Sequence, residues 1–294
     1  MKLGNKTIRI LANGGLGNQL FIWNLAHNLE DRYKCKVQII FPKSGSDRVC
    51  EILRLVHLCS HQIKVTESNN LNYAFAFLDR IMRNSPVIAK MLSEIFSIAQ
   101  TKLPSETLSH SGKPPRFIRG YFQSPTLVEE TIDLYREELL LATKILVENS
   151  EYSNLDMRKM KMLHIRRGDF TVNKATVGLL SIEYFSKMIE KGENVIIFTD
   201  AKRDDPEIAD SFPNSLIFGS DSMDTWTSFS LLSFAGHLIA SNSTFSWWAG
   251  LISLMRGGTV IAPNPWTRTN VYGENYLETK GFSVSPAQFV EASS

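Results

Sequence analysis

The sequence predicts an α/β fold made of two Rossmann-like lobes. Short apolar runs rich in β-branched residues recur along the chain, and each is followed by small or polar residues and then by a helix-like segment. The length of 294 residues suits two domains of ordinary size. A polar stretch without apolar periodicity, residues 149–161, separates two series of such elements. We therefore expect an N-terminal α/β lobe over residues 1–150 and a C-terminal α/β lobe over residues 151–294.

The N-terminal lobe is expected to open with a βαβ unit and to become less regular after it. Its predicted elements are, in chain order, a strand at residues 8–12, a glycine-rich turn at 13–18, a helix at 19–32, a strand at 37–41, a helix at 69–100, a loop at 101–116 and a helix at 129–148.

The C-terminal lobe is expected to hold strands with helices between them. The predicted strands are residues 162–166, 195–199, 216–218, 237–240 and 259–262, and a helix at 245–256 follows the fourth of them.

The composition argues against several classes of protein. A net charge of +2 is too small for a general nucleic-acid surface, so no nucleic-acid partner is expected. Cys35, Cys50 and Cys59 lack zinc-site spacing, and an odd number of cysteines argues against a disulfide framework. The sequence has no signal-peptide pattern and no run of about 18 apolar residues. We therefore expect a cytoplasmic protein.

Four polar clusters follow predicted strands, and ligands of open α/β sheets bind outside the carboxyl ends of the strands. The clusters are residues 14–19, 164–169, 198–200 and 241–244.

The first cluster is a glycine turn that ends in Asn18 and Gln19. Glycines allow a sharp turn or a close approach to a ligand, and Asn18 can offer its amide to a substrate oxygen. Leu20 stands where a dinucleotide-binding fingerprint needs its third glycine, which argues against a Rossmann oxidoreductase. A merely tight turn is the alternative.

The second cluster, residues 164–169, places His164 and Arg166 on the same side of a strand near its end. A guanidinium binds a diphosphate in a bidentate manner and keeps its charge at any relevant pH. The alternative is a surface ion pair between an arginine and Asp169, which stabilises little.

The remaining two clusters offer a carboxylate and a helix N-terminus. Asp200 closes an apolar strand and can accept N–H bonds from guanine or hold a ribose hydroxyl, or it can cap the following helix. Residues 241–244 precede a helix, so they form either an anion site or a simple N-cap. Trp247 and Trp248 are expected in the core. The sequence contains no Asp-x-Asp pair that could hold a divalent metal against a diphosphate.

Together these motifs resemble the bacterial-type α-1,2-fucosyltransferase family. The resemblance rests on four runs that stand in the family's order: residues 14–21, 120–124, 164–169 and 241–248. The combination of His-x-Arg-Arg-x-Asp with Ser-Thr-Phe-Ser-Trp-Trp is highly specific.

The resemblance implies a GT-B-like fold and an inverting transfer of L-fucose from GDP-fucose to a sugar hydroxyl, O2 of a galactose, with no metal and no other cofactor. The C-terminal lobe would hold the donor and the N-terminal lobe would face the acceptor. The residues implied to bind the donor are Gly15, Gly17, Arg166, Asp200, Ser243, Thr244 and Phe245. The residues implied to act in catalysis are Arg166, His164, Asp169 and Asn18.

Within that set, Arg166 is assigned to the β-phosphate and Asn18 to the surroundings of the reacting sugar. Asp169 and His164 are the two candidates for the general base, and a reaction with only weak base assistance is the alternative. Two departures from the family pattern concern Ala201, where a second acidic residue is usual, and residues 20–24, which differ from the usual continuation of the glycine turn.

The resemblance further implies an oligosaccharide or lipid-linked glycan acceptor, such as an O-antigen, at the inner face of the membrane. Residues 79–102 carry basic side chains that would suit a peripheral membrane contact or a solvated helix face. Two other functions are compatible with the motifs: a related glycosyltransferase with another nucleotide sugar or linkage, and a non-catalytic nucleotide-sugar-binding or glycan-binding protein.

Overall fold

The computed structural model describes residues 7–41, 49–58, 63–68, 98–100, 115–171, 175–269, 272 and 276–291. The chain divides into two units, residues 1–139 and 140–294. This division falls inside a helix, N-terminal to the junction expected at residues 149–161. The described part of each unit holds one parallel β-sheet with helices, so the predicted α/β class is confirmed.

The first unit contains a five-stranded parallel sheet of order β3-β2-β1-β5-β4 in its described part. Its described elements are β1 Thr7–Leu11, α1 Leu16–Tyr33, β2 Lys36–Phe41, α2 Ile52–Leu58, β3 Lys64–Glu67, β4 Ile98–Gln100, β5 Phe117–Arg119, α3 Pro125–Thr131, a 3₁₀ turn Ile132–Leu134 and the start of α4 Arg136–Glu148.

Helix α1 lies deep in this unit. It carries no acidic residue in its first turn, and Phe21, Ile22 and Trp23 in its middle are almost completely buried. Apolar side chains on successive positions point to all sides of a helix, which is the pattern of a buried helix rather than of a surface helix. The helix ends at Tyr33 and is followed by Lys34, whose φ of 47° is left-handed. The predicted βαβ unit is confirmed.

Two expectations for this unit need correction. The helix predicted over residues 129–148 is interrupted at Tyr135, where φ is −142° and the buried hydroxyl donates to Asn24 Oδ1 at 2.6 Å. Residues 98–100 form strand β4 rather than the end of a helix. The rest of the predicted helix, residues 69–97, and the loop over residues 101–114 lie outside the described residues.

The second unit contains a six-stranded parallel sheet of order β11-β10-β9-β6-β7-β8 in its described part. Its described elements, after α4, are β6 Lys161–Ile165, a 3₁₀ turn Gly168–Thr171, α5 Ile182–Ser186, β7 Val195–Thr199, α6 Pro206–Ser211, β8 Leu216–Phe218, α7 Thr225–Leu232, β9 His237–Ile239, α8 Thr244–Met255, β10 Thr259–Asn264 and β11 Ser283–Pro286.

The core of this unit lies on both faces of the sheet. Every residue of β7 is buried, as expected for a central parallel strand covered by helices on both sides. Trp247 and Trp248 are 1% and 0% exposed, so their predicted place in the core is confirmed. Among the described helices, none combines the length and the hydropathy that a membrane crossing requires.

Candidate functional site

The strand order of each described sheet reverses at a point where ligands of open α/β proteins bind. In the first unit this point lies between β1 and β5, and in the second unit between β6 and β9. Three of the four predicted clusters fall at these points, and the fourth, residues 198–200, follows the neighbouring strand β7. The glycine turn follows β1, whereas His164 lies at the end of β6 and Ser241 follows β9.

In the first unit, the glycine turn packs closely against the side chain of Asn18. Gly14 has a φ of +86°, and a Cβ at this position would overlap Asn18 Nδ2. Gly15 is the N-cap residue of α1 and Gly17 lies in its first turn. The side-chain oxygen of Asn18 accepts a hydrogen bond of 2.7 Å from Gln123 Nε2. The turn therefore needs glycine at position 14 for steric reasons.

Gln19 holds this turn in place, a role that the sequence reasoning missed. Its side chain is fully buried; Nε2 donates to the carbonyl oxygens of Gly14 and Val49, both at 2.8 Å, and Oε1 accepts from the backbone N–H of Ile52 at 3.1 Å. A buried glutamine needs such partners. Its place on the buried side of an apolar helix is the signal that could have indicated this role.

In the second unit, His164 is buried and bridges the ends of two strands. The side chain is 4% exposed, Nδ1 lies 2.9 Å from Ser241 Oγ, and the ring stacks on Phe245 with 5.0 Å between centroids. Burial, with a smaller contribution from the charge of Arg166, lowers the pKa of His164 to about 3. The imidazole is therefore neutral at physiological pH.

Arg166 follows β6 and forms an ion pair with Asp200, which follows the neighbouring strand β7. The Arg166 Nη1 to Asp200 Oδ2 distance is 2.7 Å, and the two side chains are 18% and 24% exposed. Asp200 Oδ1 also accepts the backbone N–H of Arg167 at 2.6 Å. Arg166 thus pairs with Asp200 across the sheet edge in a largely buried setting.

The helix-cap alternative for Asp200 is wrong. Helix α6 is capped by Asp205, whose Oδ1 accepts the N–H of Ile208 at 3.2 Å. The carboxylate of Asp200 instead joins the ends of β6 and β7. Gly168 lies beside it, and a Cβ at this residue would overlap Asp200 Oδ2 and displace the carboxylate.

The side chain of Arg167, unlike its backbone N–H, has partners other than Asp200. Its side chain is 6% exposed, Nη1 donates to the carbonyl oxygen of Leu180 at 2.9 Å, and Nε lies 3.3 Å from Glu207 Oε2. These contacts anchor the loop after β6 to two other segments of the unit. Of the two adjacent arginines, Arg166 is therefore the better candidate for a ligand contact.

The turn before α8 provides a helix N-terminus beside His164. Ser243 is the N-cap residue, and its Oγ accepts the N–H of Phe245 at 3.3 Å, a contact that is compatible with both interpretations of residues 241–244. Ser246 Oγ donates to the carbonyl oxygen of Ser241 at 3.0 Å, which closes the turn. Thr244 and Phe245 are partly exposed. The N-terminus of this 12-residue helix favours an anion through its N–H groups and its dipole.

The second unit therefore brings together most of the residues expected at the donor: His164, Arg166, Asp200, Ser243, Thr244 and Phe245. Gly15, Gly17 and Asn18 belong to the first unit. Asp169 lies in the 3₁₀ turn after β6, and its side chain is outside what the structure describes.

The model of one protein family, "Glycosyl transferase family 11", matches residues 7–279 of this chain. An O-antigen biosynthesis glycosyltransferase from Escherichia coli, WbnK, is 27% identical over 174 residues, which cover 51% of this chain and 55% of that protein. The match thus spans about half the length of that relative. An alpha-1,2-colitosyltransferase from Escherichia coli is 26% identical over 273 residues, which cover 86% of this chain and 90% of that protein.

Two groups of solved structures are similar in fold. The Escherichia coli heptosyltransferase WaaC with ADP has a TM-score of 0.50 and 11% identity, with 95% of this chain and 93% of that chain covered. The fucosyltransferase NodZ from Bradyrhizobium has a TM-score of 0.49 and 13% identity, with 84% and 93% covered. The likeness to the heptosyltransferase confirms the predicted GT-B-like fold.

The four motif runs and the two strand-end sites lie within the matched range. Because that range includes most of the chain and both units, the chain belongs to glycosyl transferase family 11, the fucosyltransferase family that its motifs resemble.

Proposed function

We propose that this protein transfers L-fucose from GDP-fucose to O2 of a galactose in a glycan acceptor, with inversion and without a metal ion. Membership of family 11 supports the sugar class. The alpha-1,2-colitosyltransferase supports the linkage, because its name states the same linkage and the match covers 86% of this chain. An O-antigen or a related lipid-linked glycan as acceptor is supported by the name of WbnK. Such an acceptor would bring the protein to the inner face of the membrane as a peripheral partner.

The observation that carries this proposal is the largely buried guanidinium of Arg166 directly after β6, one of the two strands between which the order of the second sheet reverses, while α8 begins after the other strand, β9. In the reaction, the acceptor hydroxyl oxygen bonds to C1 of fucose while the bond from C1 to the β-phosphate oxygen breaks on the opposite face. Negative charge develops on the departing GDP. A fixed guanidinium and helix N–H groups stabilise that charge more in the transition state than in the ground state.

The other site residues receive roles that fit their surroundings. Ser243, Thr244 and Phe245 at the start of α8 would line the diphosphate and the nucleotide. Asp200 would orient Arg166, since their side chains are 2.7 Å apart, in addition to the guanosine contact that the motif implies. In the first unit, Gly15 and Gly17 would allow the backbone to approach the substrates, and Asn18 would contact the reacting sugar.

The proposed base is Asp169. His164 is the weaker candidate, because burial lowers its pKa to about 3 and its Nδ1 already lies 2.9 Å from Ser241 Oγ. His164 is therefore proposed to stay neutral and to bind the donor through hydrogen bonding and stacking. Loss of the acid limb of the pH–rate profile in Asp169→Asn, with the limb retained in His164→Gln, would support this division of roles.

The central experiment is incubation with GDP-fucose, EDTA and a panel of galactose-ended acceptors, followed by linkage analysis of the products. We expect α-1,2-linked fucose in the presence of the chelator. Arg166→Ala should lower turnover about 10²–10³-fold, the usual loss for one donor to a developing oxyanion. Arg166→Lys should recover little of it, because the bidentate fork is lost.

Arg32→Ala is the matched control, because Arg32 is exposed in the last turn of α1, at the end of the helix away from the glycine turn. Near-normal turnover of a folded Arg166→Ala variant would overturn the proposal, as would loss of activity in EDTA. Binding of GDP without any turnover would instead favour a non-catalytic nucleotide-sugar-binding protein.

A second candidate donor is GDP-colitose, favoured by the match to the colitosyltransferase over 90% of its length. Colitose is fucose without the 3-hydroxyl. A site that hydrogen-bonds this hydroxyl rejects the deoxy sugar by roughly 10⁴–10⁵, whereas an apolar site excludes the added hydroxyl by only about 10². The ratio of kcat/KM for the two donors in direct competition therefore identifies the natural one.

A further inference from the structure

The segment that follows β5, residues 120–124, contacts the end of the glycine turn through Gln123. Strands β1 and β5 are parallel neighbours, with Leu11 paired to Arg119, so the residues after each strand lie at the same edge of the sheet. Asn18 and Gln123 are 105 positions apart in the sequence, and Gln123 Nε2 donates to Asn18 Oδ1 at 2.7 Å. This bond spans the point where the strand order of the first sheet reverses.

The backbone around Gln123 is constrained. Phe122 is fully buried and has a φ of +53°, a left-handed conformation that bulky residues adopt only where the surroundings require it. Ser124 caps α3, with its Oγ accepting the N–H of Leu127 at 3.3 Å, and Pro125 follows at the first helical position. Gln123 itself is 5% exposed. Its side chain is therefore directed towards Asn18 by fixed neighbours on both sides.

The hydrogen bond also fixes which way the Asn18 amide faces. An amide has one accepting oxygen and one donating NH₂ group. Because Oδ1 accepts from Gln123, Nδ2 turns to the other side, against Gly14, where a Cβ would overlap it. Asn18 thus presents donors, rather than an acceptor, on the side of the glycine turn.

We propose that Gln123 is a positioning residue that orients the amide of Asn18, so that its N–H donors face an oxygen of the reacting sugar or of the acceptor hydroxyl. This inference rests on the proposed function, since Asn18 has to contact a substrate. Rate depends steeply on such orientation: a misplacement of about 1 Å can lower turnover about 10²-fold.

The decisive variant is Gln123→Glu, because it keeps the shape of the side chain and replaces the donating NH₂ by an acceptor. Asn18 then has to turn Nδ2 towards position 123, and its oxygen faces the substrate. We expect kcat to fall roughly 10- to 100-fold with little change in the KM for the donor. Asn18→Ala should lose at least as much, and the double variant should lose no more than Asn18→Ala alone, since the two residues act as a unit.

The matched control is Gln38→Glu. Gln38 lies on β2 of the same sheet, and its Nε2 likewise donates to a side chain, Thr66 Oγ1, at 3.0 Å. This variant should keep kcat. Thermal unfolding of all variants separates a loss of fold from a loss of orientation.

Two results would overturn the inference: wild-type kcat in Gln123→Glu, or losses from Asn18→Ala and Gln123→Glu that multiply in the double variant. The proposed donor is judged separately, by turnover of the wild-type protein with GDP-fucose. The coupling between the two residues is measured with whichever nucleotide sugar the wild type uses, so the inference and the proposed function can fail independently.

Discussion

Arg166 and His164 lie at the end of the same strand, where Arg166 keeps its charge and His164 is neutral. An arginine keeps its charge when it is desolvated, and Arg166 has the carboxylate of Asp200 beside it. A histidine releases its proton when it is buried beside a cation, and the pKa of His164 is lowered to about 3. The site therefore combines one fixed positive charge with one neutral ring.

The burial of His164 predicts a loss of stability in acid. The ordinary pKa of the residue is 6.5, so below that pH the unfolded chain binds a proton that the folded chain excludes until the pH approaches 3. The exclusion of this proton therefore costs the folded state nothing above pH 6.5. As the pH falls from 6.5 towards 3, the free energy of unfolding decreases by up to about 1.4 kcal/mol per pH unit. Between pH 7 and pH 5 the expected decrease in the free energy of unfolding is about 2 kcal/mol.

Urea unfolding at these two pH values measures the difference. His164→Gln should reduce the difference in unfolding free energy between pH 7 and pH 5 by about 2 kcal/mol, whatever the effect of the substitution on stability at pH 7. The exposed His237→Gln is the control and should retain it. An unchanged pH dependence in His164→Gln would contradict a neutral, buried imidazole.

Gly168 offers a separate test of the Arg166 and Asp200 pair. An added Cβ would overlap Asp200 Oδ2 and approach the guanidinium carbon of Arg166, so Gly168→Ala should displace the carboxylate. We expect kcat/KM for the donor to fall by about tenfold or more, since orientation of the guanidinium is lost. Gly192→Ala is the control: its φ is also positive, at +84° against +21° for Gly168, and no atom lies within 4 Å of the added Cβ. Equal activity of the two variants would argue against a role for the ion pair.

At the scale of elements, the interruption between α3 and α4 shows how a tertiary contact overrides helix periodicity. Residues 129–148 contain no proline or glycine, and the apolar spacing predicts one helix. The chain leaves the helix at Tyr135 because its hydroxyl, buried with Asn24, finds its acceptor there. Burial also raises the pKa of Tyr135 well above its ordinary value, so the hydroxyl stays protonated and donates.

Tyr135→Phe should therefore destabilise the protein by about 1–3 kcal/mol, because Asn24 Oδ1 loses its donor in a buried setting. Thermal or urea unfolding provides the measurement. Tyr33→Phe, which removes a hydroxyl from a half-exposed residue of the same unit, is the control and should change stability by less than about 0.5 kcal/mol. Equal stability of Tyr135→Phe and wild type would mean that water replaces the lost donor.

The strands that the sequence predicted well are those with a clear apolar run, among them β8, Leu216–Phe218, whose observed bounds match the prediction although Leu216 is exposed. Strand β7, buried at every residue, was predicted with its observed bounds, Val195–Thr199. Strand β11 was missed because its residues are largely exposed, Val284 among them at 56%, and short polar strands give no apolar signal. Strand β5 has only three residues and gives little signal either.

The site was predictable to the extent that it follows the strand-end rule. Each polar cluster does stand at the carboxyl end of a strand, and the strand-order reversals select Asn18, His164 and Ser241 among them. The partners of these residues were not predictable. The contacts of Gln123 with Asn18 and of Asp200 with Arg166 join residues that only the completed sheets bring together.

At the scale of the whole molecule, the two described sheets share one plan. Each reverses its strand order once, and at each reversal a hydrogen bond joins side chains from the two central strands or the turns that follow them. One pair is Asn18 with Gln123 and the other is His164 with Ser241. Each unit thus has a side-chain hydrogen bond at the strand-order reversal of its sheet, although the sequences of the two units are not repeats of each other.

These two pairs connect residues 105 and 77 positions apart, so neither forms until a long stretch of chain has closed on itself. Loop closure of this length is slow in parallel sheets, whereas helices form early. After dilution from urea, circular dichroism should recover its helical signal before sugar transfer returns, and His164→Gln should leave the early phase unchanged. Simultaneous recovery of both signals would contradict this order. Enzymatic activity is then a late marker of renaturation, and a nascent chain has no competent site until β9 and the turn that follows it are in place.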